Sequence, residues 1–323
     1  MTSASNLISI VIPTYDRPEI LKENIALITE AVREENLLGF IKIYISDDSI
    51  NSKSKNIVDE IKLSYPDIIY SKNSPSLGHD KNLFHSLNLP DSDYVWMLGD
   101  SIKLKKNSLS KVIKLLSNAE FDIVSLNGDT RNINIESGAY KNCIEVINNF
   151  GWHLTMTGAT IYSKRAISHI ANLTHKNHKN FPQFFLIFDY LSVKCSFYWI
   201  NDRLIGSTPK ESYWLKSIFS IFIDDWTSTV LNLPATYDKE TLDKVILEHS
   251  LHSEIFKPKV FLTLRMMNYY NINHYRSHKK QLVLHSGLNA LTLFMIAVMN
   301  PFLLKIVHKI YKKFSTNNIF TLK

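Results

Sequence analysis

The sequence predicts an α/β protein, an open and mostly parallel sheet followed by a helical extension, and three observations carry that prediction. Apolar, β-branched runs alternate with segments of helical periodicity through about the first hundred residues, which is the pattern of successive β-α-β units. Several of the runs end in clusters of Asp, Ser, Thr or Gly. From about Tyr237 onward the strand pattern stops and the chain reads as helices.

The elements follow in order. "LISIVIP" is a continuous β-branched run, as expected of a strand covered on both faces. A helix comes next, with Leu21, Ile25, Ile28 and Val32 on one face and Asp16 placed to cap it with Glu19 three positions on. "FIKIYISDD" alternates Ile41, Ile43 and Ile45 with other residues and ends in two aspartates, so it reads as the second strand. A polar loop and a helix follow, then the short strand "IIYSKN", a turn at Gly78, a helix through Leu83, Phe84 and Leu87, and the strand "YVWML". The expected organisation is a catalytic-type domain over residues 1–236 and a helical region over 237–323.

Composition sets limits on function. With 45% hydrophobic and 21% charged residues in 323, the chain has enough apolar material for a large core, which excludes a disordered protein. Lys and Arg exceed Asp and Glu by 37 to 30, and much of the excess lies after Lys257, in "HYRSHKK" and "KIVHKIYKKF"; such a tail suits an anionic surface. Cys143 and Cys195 lack metal-type spacing and cannot make a disulfide framework, so a reducing compartment fits. The N-terminus has no basic n-region and its apolar run is short for a secretory signal, which reads as a cytoplasmic protein.

Ligands of open α/β sheets lie outside the carboxyl ends of the strands. Those ends are Pro13-Thr14-Tyr15-Asp16, Ser46-Asp47-Asp48-Ser49 and Gly99-Asp100-Ser101, so hydroxyls, an aromatic face and several carboxylates converge on one crevice. Such a crevice needs a divalent cation or basic side chains before it can hold a nucleoside diphosphate. The chain has no GxxxxGK[ST] and no GxGxxG after the first strand, so it lacks the usual phosphate loops.

Four segments, "ISIVIPTYDRPEIL", "IYISDDS", "SLGHDKNLFHSL" and "DYVWMLGDS", resemble the successive motifs of family 2 glycosyltransferases, inverting enzymes of the GT-A fold. Within these, the "YVWMLGD" wording is closest to bacterial abequosyltransferase-like surface-polysaccharide sugar transferases. The resemblance implies a nucleotide-sugar site in which Pro13, Thr14 and Tyr15 border the base and Asp47 accepts a hydrogen bond from it. It places Lys81 near the diphosphate, with His79 a weaker candidate. Gly99-Asp100-Ser101 falls on the family's DXD motif, whose carboxylates meet the ribose and a metal. Here Asp100 is the single carboxylate, so the implied cofactor, Mn²⁺ or Mg²⁺, would rest on Asp100 with Ser101 as a candidate second ligand. The family also needs an acceptor-side general base about ninety residues past the DXD motif. Asp189 in "PQFFLIFDYLSVKC" stands at that separation, among apolar neighbours that would raise its pKa, with Asp224 and Asp225 as runners-up.

His175 and His178 in "THKNHKNF" alternate with Lys176 and Lys179 and read as a solvated loop. No nucleic-acid signature accompanies the aromatic and basic residues of "RMMNYYNINHYRSHKK", so a nucleic-acid partner is not expected. Gly287 to Leu304 runs without a charge but is broken by Asn289, Asn300 and Pro301. Beyond Pro301, apolar Leu303, Ile306 or Val307, Ile310 and Phe314 share a face, and Lys305, Lys309, Lys312 and Lys313 occupy the rest; this is the pattern of a helix lying on an anionic membrane. The expectation is a peripheral membrane glycosyltransferase of surface-polysaccharide synthesis, O-antigen or capsule, using a saccharide acceptor carried on polyprenyl diphosphate. The alternative is a nucleotide-sugar-binding scaffold that has lost catalysis with its DXD motif.

Overall fold

The computed structural model describes residues 7–171, 178–207 and 213–314. They divide into two compact units, one within Met1–Thr208 plus Leu233–Tyr237, the other within Pro209–Asn232 plus Asp238–Lys323. The segment 209–232, which a division at 236/237 assigns to the first part, groups with the second unit.

The first unit begins with the expected alternation. β1 (Ile8–Thr14), α1 (Pro18–Glu34), β2 (Ile41–Asp47), α2 (Lys53–Lys62), β3 (Ile68–Lys72), α3 (His79–Leu87) and β4 (Tyr94–Met97) follow one another. β1, β2, β3 and β4 are mutually parallel in the order β3-β2-β1-β4, so their carboxyl ends share one edge. β5 (Ile102–Leu104), α4 (Ser108–Asn118), β6 (Ile123–Gly128), β7 (Gly138–Tyr140), α5 (Cys143–Phe150), β8 (Thr160–Ser163), α6 (Lys164–Ala171), α7 (Pro182–Val193) and β9 (Phe197–Ser207) complete it. β8 inserts antiparallel between β4 and β6, and β9 runs parallel to β6 while β5 and β7 pair antiparallel with it. The sheet is therefore mixed. Ile10, Ile12, Ile43, Ile45, Trp96 and Ile161 are fully buried in its core, and each large aliphatic side chain so buried contributes roughly 1.5–3 kcal/mol.

The first helix does not start as the sequence suggests. Pro18 occupies its first turn, Arg17 is the residue at the cap, and neither Arg17 nor Asp16 caps it with a side chain. Proline at that position sets the start and biases the residue before it away from helical geometry. Asp16 is left outside the helix at φ 52, its backbone N–H donating to Ser49 Oγ at 2.8 Å. The loop after β1 is thereby tied to the loop after β2.

The second unit is helical. A short 3-10 turn (Tyr213–Ser217) and a π-helical turn (Ser220–Asp225) lead into α8 (Trp226–Leu231), α9 (Lys239–Ser253), α10 (Pro258–Met266), α11 (Ile272–Ser286), α12 (Ala290–Val298) and α13 (Pro301–Phe314). Asp238, Asn271 and Asn289 each cap the helix that follows by accepting backbone N–H groups. Phe219, Phe256, Phe261, Tyr270 and Trp226 form its buried aromatic core. The charge-free stretch breaks where the sequence says it should: Met299 is extended at ψ 145, Asn300 Oδ1 accepts from Phe302 N at 2.9 Å, and α12 and α13 are bent by 93°. Among the described residues no single helix is long and apolar enough to cross a membrane, although the bent pair passes that test together.

Candidate functional site

Parallel pairing in register sets Thr14 beside Asp47, and Asp47 beside Lys72. These are the last residues of β1, β2 and β3, so the sheet itself lines up a hydroxyl, a carboxylate and an ammonium along its carboxyl edge. Asp100 follows β4 on the other side of β1. Thr14 Oγ1 donates to Asp100 Oδ2 at 3.4 Å, which joins the first and fourth strand ends.

Asp47 is fully buried and well supplied with donors. Oδ1 accepts from Ser49 N at 2.9 Å and from the Ser49 hydroxyl; Oδ2 accepts from Tyr70 OH at 2.6 Å and from Lys72 Nζ at 3.3 Å. Burial, then the hydrogen bond to Asp47, raises the Tyr70 phenol above its ordinary range. Lys72 also donates to the carbonyls of Ser49 and Asn51.

Its neighbour Asp48 has a different task. Asp48 is 1% exposed and accepts from Asn73 Nδ2 (3.0 Å), Ser76 Oγ (2.7 Å), Leu77 N (2.7 Å) and Gly78 N (2.8 Å). Burial pushes its carboxyl up, but the four donors outweigh that and hold it below the usual carboxylate range. Asp48 thus shapes the loop into α3, where Gly78 at φ 80 takes a backbone conformation that disfavours other residues. Asn82 of α3 accepts from Ser46 Oγ at 2.6 Å and from Asn73 Nδ2 at 2.9 Å, locking the helix start to the same strand ends.

The Gly99-Asp100-Ser101 turn is held from two sides. Asn24 of α1 donates to the carbonyls of Gly99 (3.1 Å) and Asp100 (2.9 Å). Behind it Gly158 lies so close that an added Cβ would sit 2.7 Å from Ile102, and its carbonyl accepts from Trp96 Nε1 at 3.1 Å. The Asp100 carboxylate, its side chain 9% exposed, pairs with Arg17 Nη1 at 3.2 Å. A divalent cation here would find one protein carboxylate, already paired with a guanidinium, between a glycine and a serine. Among the described residues no group of three or more His, Cys, Asp or Glu is placed to hold a metal ion. The side chains present do not make a cation site by themselves.

Of the other expected residues, Pro13 is half-buried at the end of β1, Tyr15 is 51% exposed with its ring accessible, and Lys81 is exposed in the first turn of α3. The structure brings Thr14, Asp47, Gly99 and Asp100 together. Asp189 lies on α7, which packs against α3, the helix whose start is locked to these strand ends. The first turn of α7 lies by Thr155, whose carbonyl accepts from Gln183 at 2.7 Å, while Tyr190 bonds Asp122, the residue before β6. Asp189 lies between, about 9 Å along the helix from Gln183. Its Oδ2 is 2.9 Å from His169 Nε2 on α6, a polar partner in place of the expected apolar surroundings. Asp224 belongs to the second unit and pairs with His278 at 3.2 Å. His178 is buried, not solvated, and stacks on Phe185; His175 lies outside the described residues.

Arg17, Tyr70 and Lys72 were not foreseen. Arg17 stands inside the quoted "TYDRP" and Lys72 inside "IIYSKN", so a basic residue at or just past a strand end was the signal available; strand register, which sets Lys72 on Asp47, was not.

The model of the family described as Glycosyl transferase family 2 matches residues 9–195, more than half of the chain and the whole of the strand-end cluster. Abequosyltransferase RfbV of Salmonella typhimurium is 35% identical over 118 residues, which are 36% of this chain and 34% of that protein. The match therefore spans about a third of the curated relative's length. Among solved structures, S. aureus TarS 1–349 in complex with UDP-GlcNAc has a TM-score of 0.55 at 12% identity, covering 96% of this chain and 92% of its own. The mannosyltransferase PcManGT from Pyrobaculum calidifontis, in complex with GDP-Man and Mn²⁺, has a TM-score of 0.58 at 11% identity, with 95% and 88% covered. At such identities these structures speak to the fold, which is that of the GT-A glycosyltransferases. On the family match and the fold together, the chain belongs to glycosyl transferase family 2.

Proposed function

We propose that the chain transfers one sugar from a nucleotide-sugar donor to a saccharide acceptor in the synthesis of a bacterial surface polysaccharide, an O-antigen or a capsule, with inversion at the anomeric carbon. The observation that carries this reading is the convergence of Thr14, Asp47 and Asp100, with Arg17, at the carboxyl ends of adjacent strands. In the donor complex the base would stack on Tyr15, and Asp47 would accept one of its N–H groups. A carboxylate has about four acceptor positions, and four donors already occupy those of Asp47. A base N–H would take the position of Lys72, which keeps its carbonyl partners Ser49 and Asn51. Asp100 would hold the ribose and Lys81 would lie near the diphosphate. Asp189 is proposed as the acceptor-side base on the ground of its spacing past Asp100.

The acceptor in this reading is carried on a polyprenyl diphosphate at the cytoplasmic face of the membrane. Exposed Phe302, Leu303, Ile306, Val307 and Ile310 on α13, beside Lys305 and Lys309, support attachment to an anionic surface. After Glu254 the sequence contains no Asp or Glu at all, so nothing acidic opposes that attraction. A thermal-shift panel of nucleoside diphosphates and nucleotide sugars tests the donor site, because a ligand that binds the native state raises its melting temperature. Stabilisation by one nucleotide class, lost in Asp47→Ala, supports the reading; no stabilisation by any of them refutes it.

A further inference from the structure

We propose that Arg17 supplies the positive charge that meets the donor's diphosphate, in the role that the family resemblance gives to a divalent cation. The inference rests on the donor-site reading and concerns which group neutralises the phosphates. Arg17 Nη1 stands 3.2 Å from Asp100 Oδ1, in the place where a cation bound to this turn would have to sit. The Arg17 side chain is 35% exposed against 9% for Asp100, so of the two paired side chains Arg17 is the one open to solvent and to an arriving ligand. The backbone around it is fixed by Pro18 on one side and by the Asp16 to Ser49 hydrogen bond on the other.

Gly99 offers no ligand atom and Ser101 only a neutral hydroxyl, so a divalent ion would gain little there and would have to displace an ion pair. A guanidinium carries five N–H donors in a planar fork, enough to span a carboxylate and a phosphate. During transfer the bond between the anomeric carbon and the diphosphate oxygen breaks with its electron pair left on that oxygen. The acceptor hydroxyl oxygen forms the new bond and gives its proton to the acceptor-side base. Arg17 faces the charge that appears on the departing diphosphate, and Asp100 holds Arg17 in position for it.

The test is calorimetric binding of UDP, GDP, CDP and dTDP to the full chain, first in EDTA and then with Mn²⁺. Wild type is expected to bind one diphosphate in EDTA, with little change on adding Mn²⁺. Arg17→Ala should weaken that diphosphate by about 10- to 100-fold while leaving affinity for the matching nucleoside, which has no phosphate, unchanged. Arg17→Lys should recover part of the loss. The double variant Arg17→Ala, Asp100→Asn removes the uncompensated carboxylate and should keep the preference for nucleoside over diphosphate; recovery of diphosphate binding would trace the loss to repulsion by Asp100 and overturn the proposal. Binding that requires Mn²⁺ and is equal in wild type and Arg17→Ala would also overturn it, with the donor site left standing. If no diphosphate binds under any condition, the donor site fails and the proposal with it.

Discussion

At the residue scale, two adjacent aspartates at one strand end do different work. Asp47 faces Tyr70 and Lys72, whereas Asp48 is consumed by the loop into α3. Asp47→Ala and Tyr15→Ala should each weaken nucleotide binding by about 1–3 kcal/mol, read by titration calorimetry below the melting temperature of each variant; Asp47→Ala should also lose stability, because Tyr70 and Lys72 lose a buried partner. Asp48→Ala should lower stability by roughly 1–3 kcal/mol, because the N–H groups of Leu77 and Gly78 lose their acceptor. Nucleotide affinity of the folded variants distinguishes the two aspartates: an Asp48→Ala variant that loses as much nucleotide affinity as Asp47→Ala would contradict the division of labour. Asp189→Asn tests the base: transfer should fall by about 10²- to 10⁴-fold with donor binding unchanged if Asp189 takes the proton. A full rate in that variant would leave Asp189 as the structural partner of His169.

At the scale of elements, the strand and helix order to β4 was legible because β-branched runs and helical faces mark buried strands and amphipathic helices directly. Thr14, Asp47 and Asp100 were legible for a related reason: they terminate apolar runs. What the sequence withheld depends on pairing between distant segments. Arg17 meets Asp100 across 83 positions and Lys72 meets Asp47 across 25, and neither periodicity nor composition encodes such a meeting. The antiparallel insertion of β8 between β4 and β6 is of the same kind. The C-terminal helices were readable, yet the structure alters how their role is tested. Leu293 of α12 is fully buried and its carbonyl accepts from Tyr270 OH at 3.0 Å, so removal of the whole segment would open the second unit's core. Substitution of exposed Phe302, Leu303 and Val307 by Glu is the cleaner change. It should abolish cosedimentation with vesicles containing anionic phosphatidylglycerol while leaving the melting temperature in place. Unchanged cosedimentation would remove α13 as the anchor.

At the scale of the whole molecule, stability should depend on pH through two buried histidines, one in each unit. His153 is fully buried, and burial pushes it down to about 4, against the opposing pull of the Leu126 and Arg131 carbonyls, each 2.8 Å from a ring nitrogen, which favour the charged ring. His285, bonded to Ser250 Oγ at 2.6 Å, is likewise pushed down to about 4 by burial. A histidine with a depressed native pKa contributes its full stability above the unfolded value near 6.5. The unfolded chain binds more protons below that value, so each contribution falls as the pH drops from about 6.5 to about 4, by on the order of 3 kcal/mol. Melting curves across that window should show the fall, and a flat profile would contradict the burial of both rings. The strand-end cluster is read as the sugar-donor site of a working transferase. The most direct measurement is release of nucleoside diphosphate from a panel of nucleotide sugars, with and without a membrane lipid extract carrying polyprenyl-linked saccharides. Release is expected from one nucleotide sugar, dependent on the extract and lost in Asp47→Ala; tight nucleotide-sugar binding without release under any of these conditions would contradict a transferase.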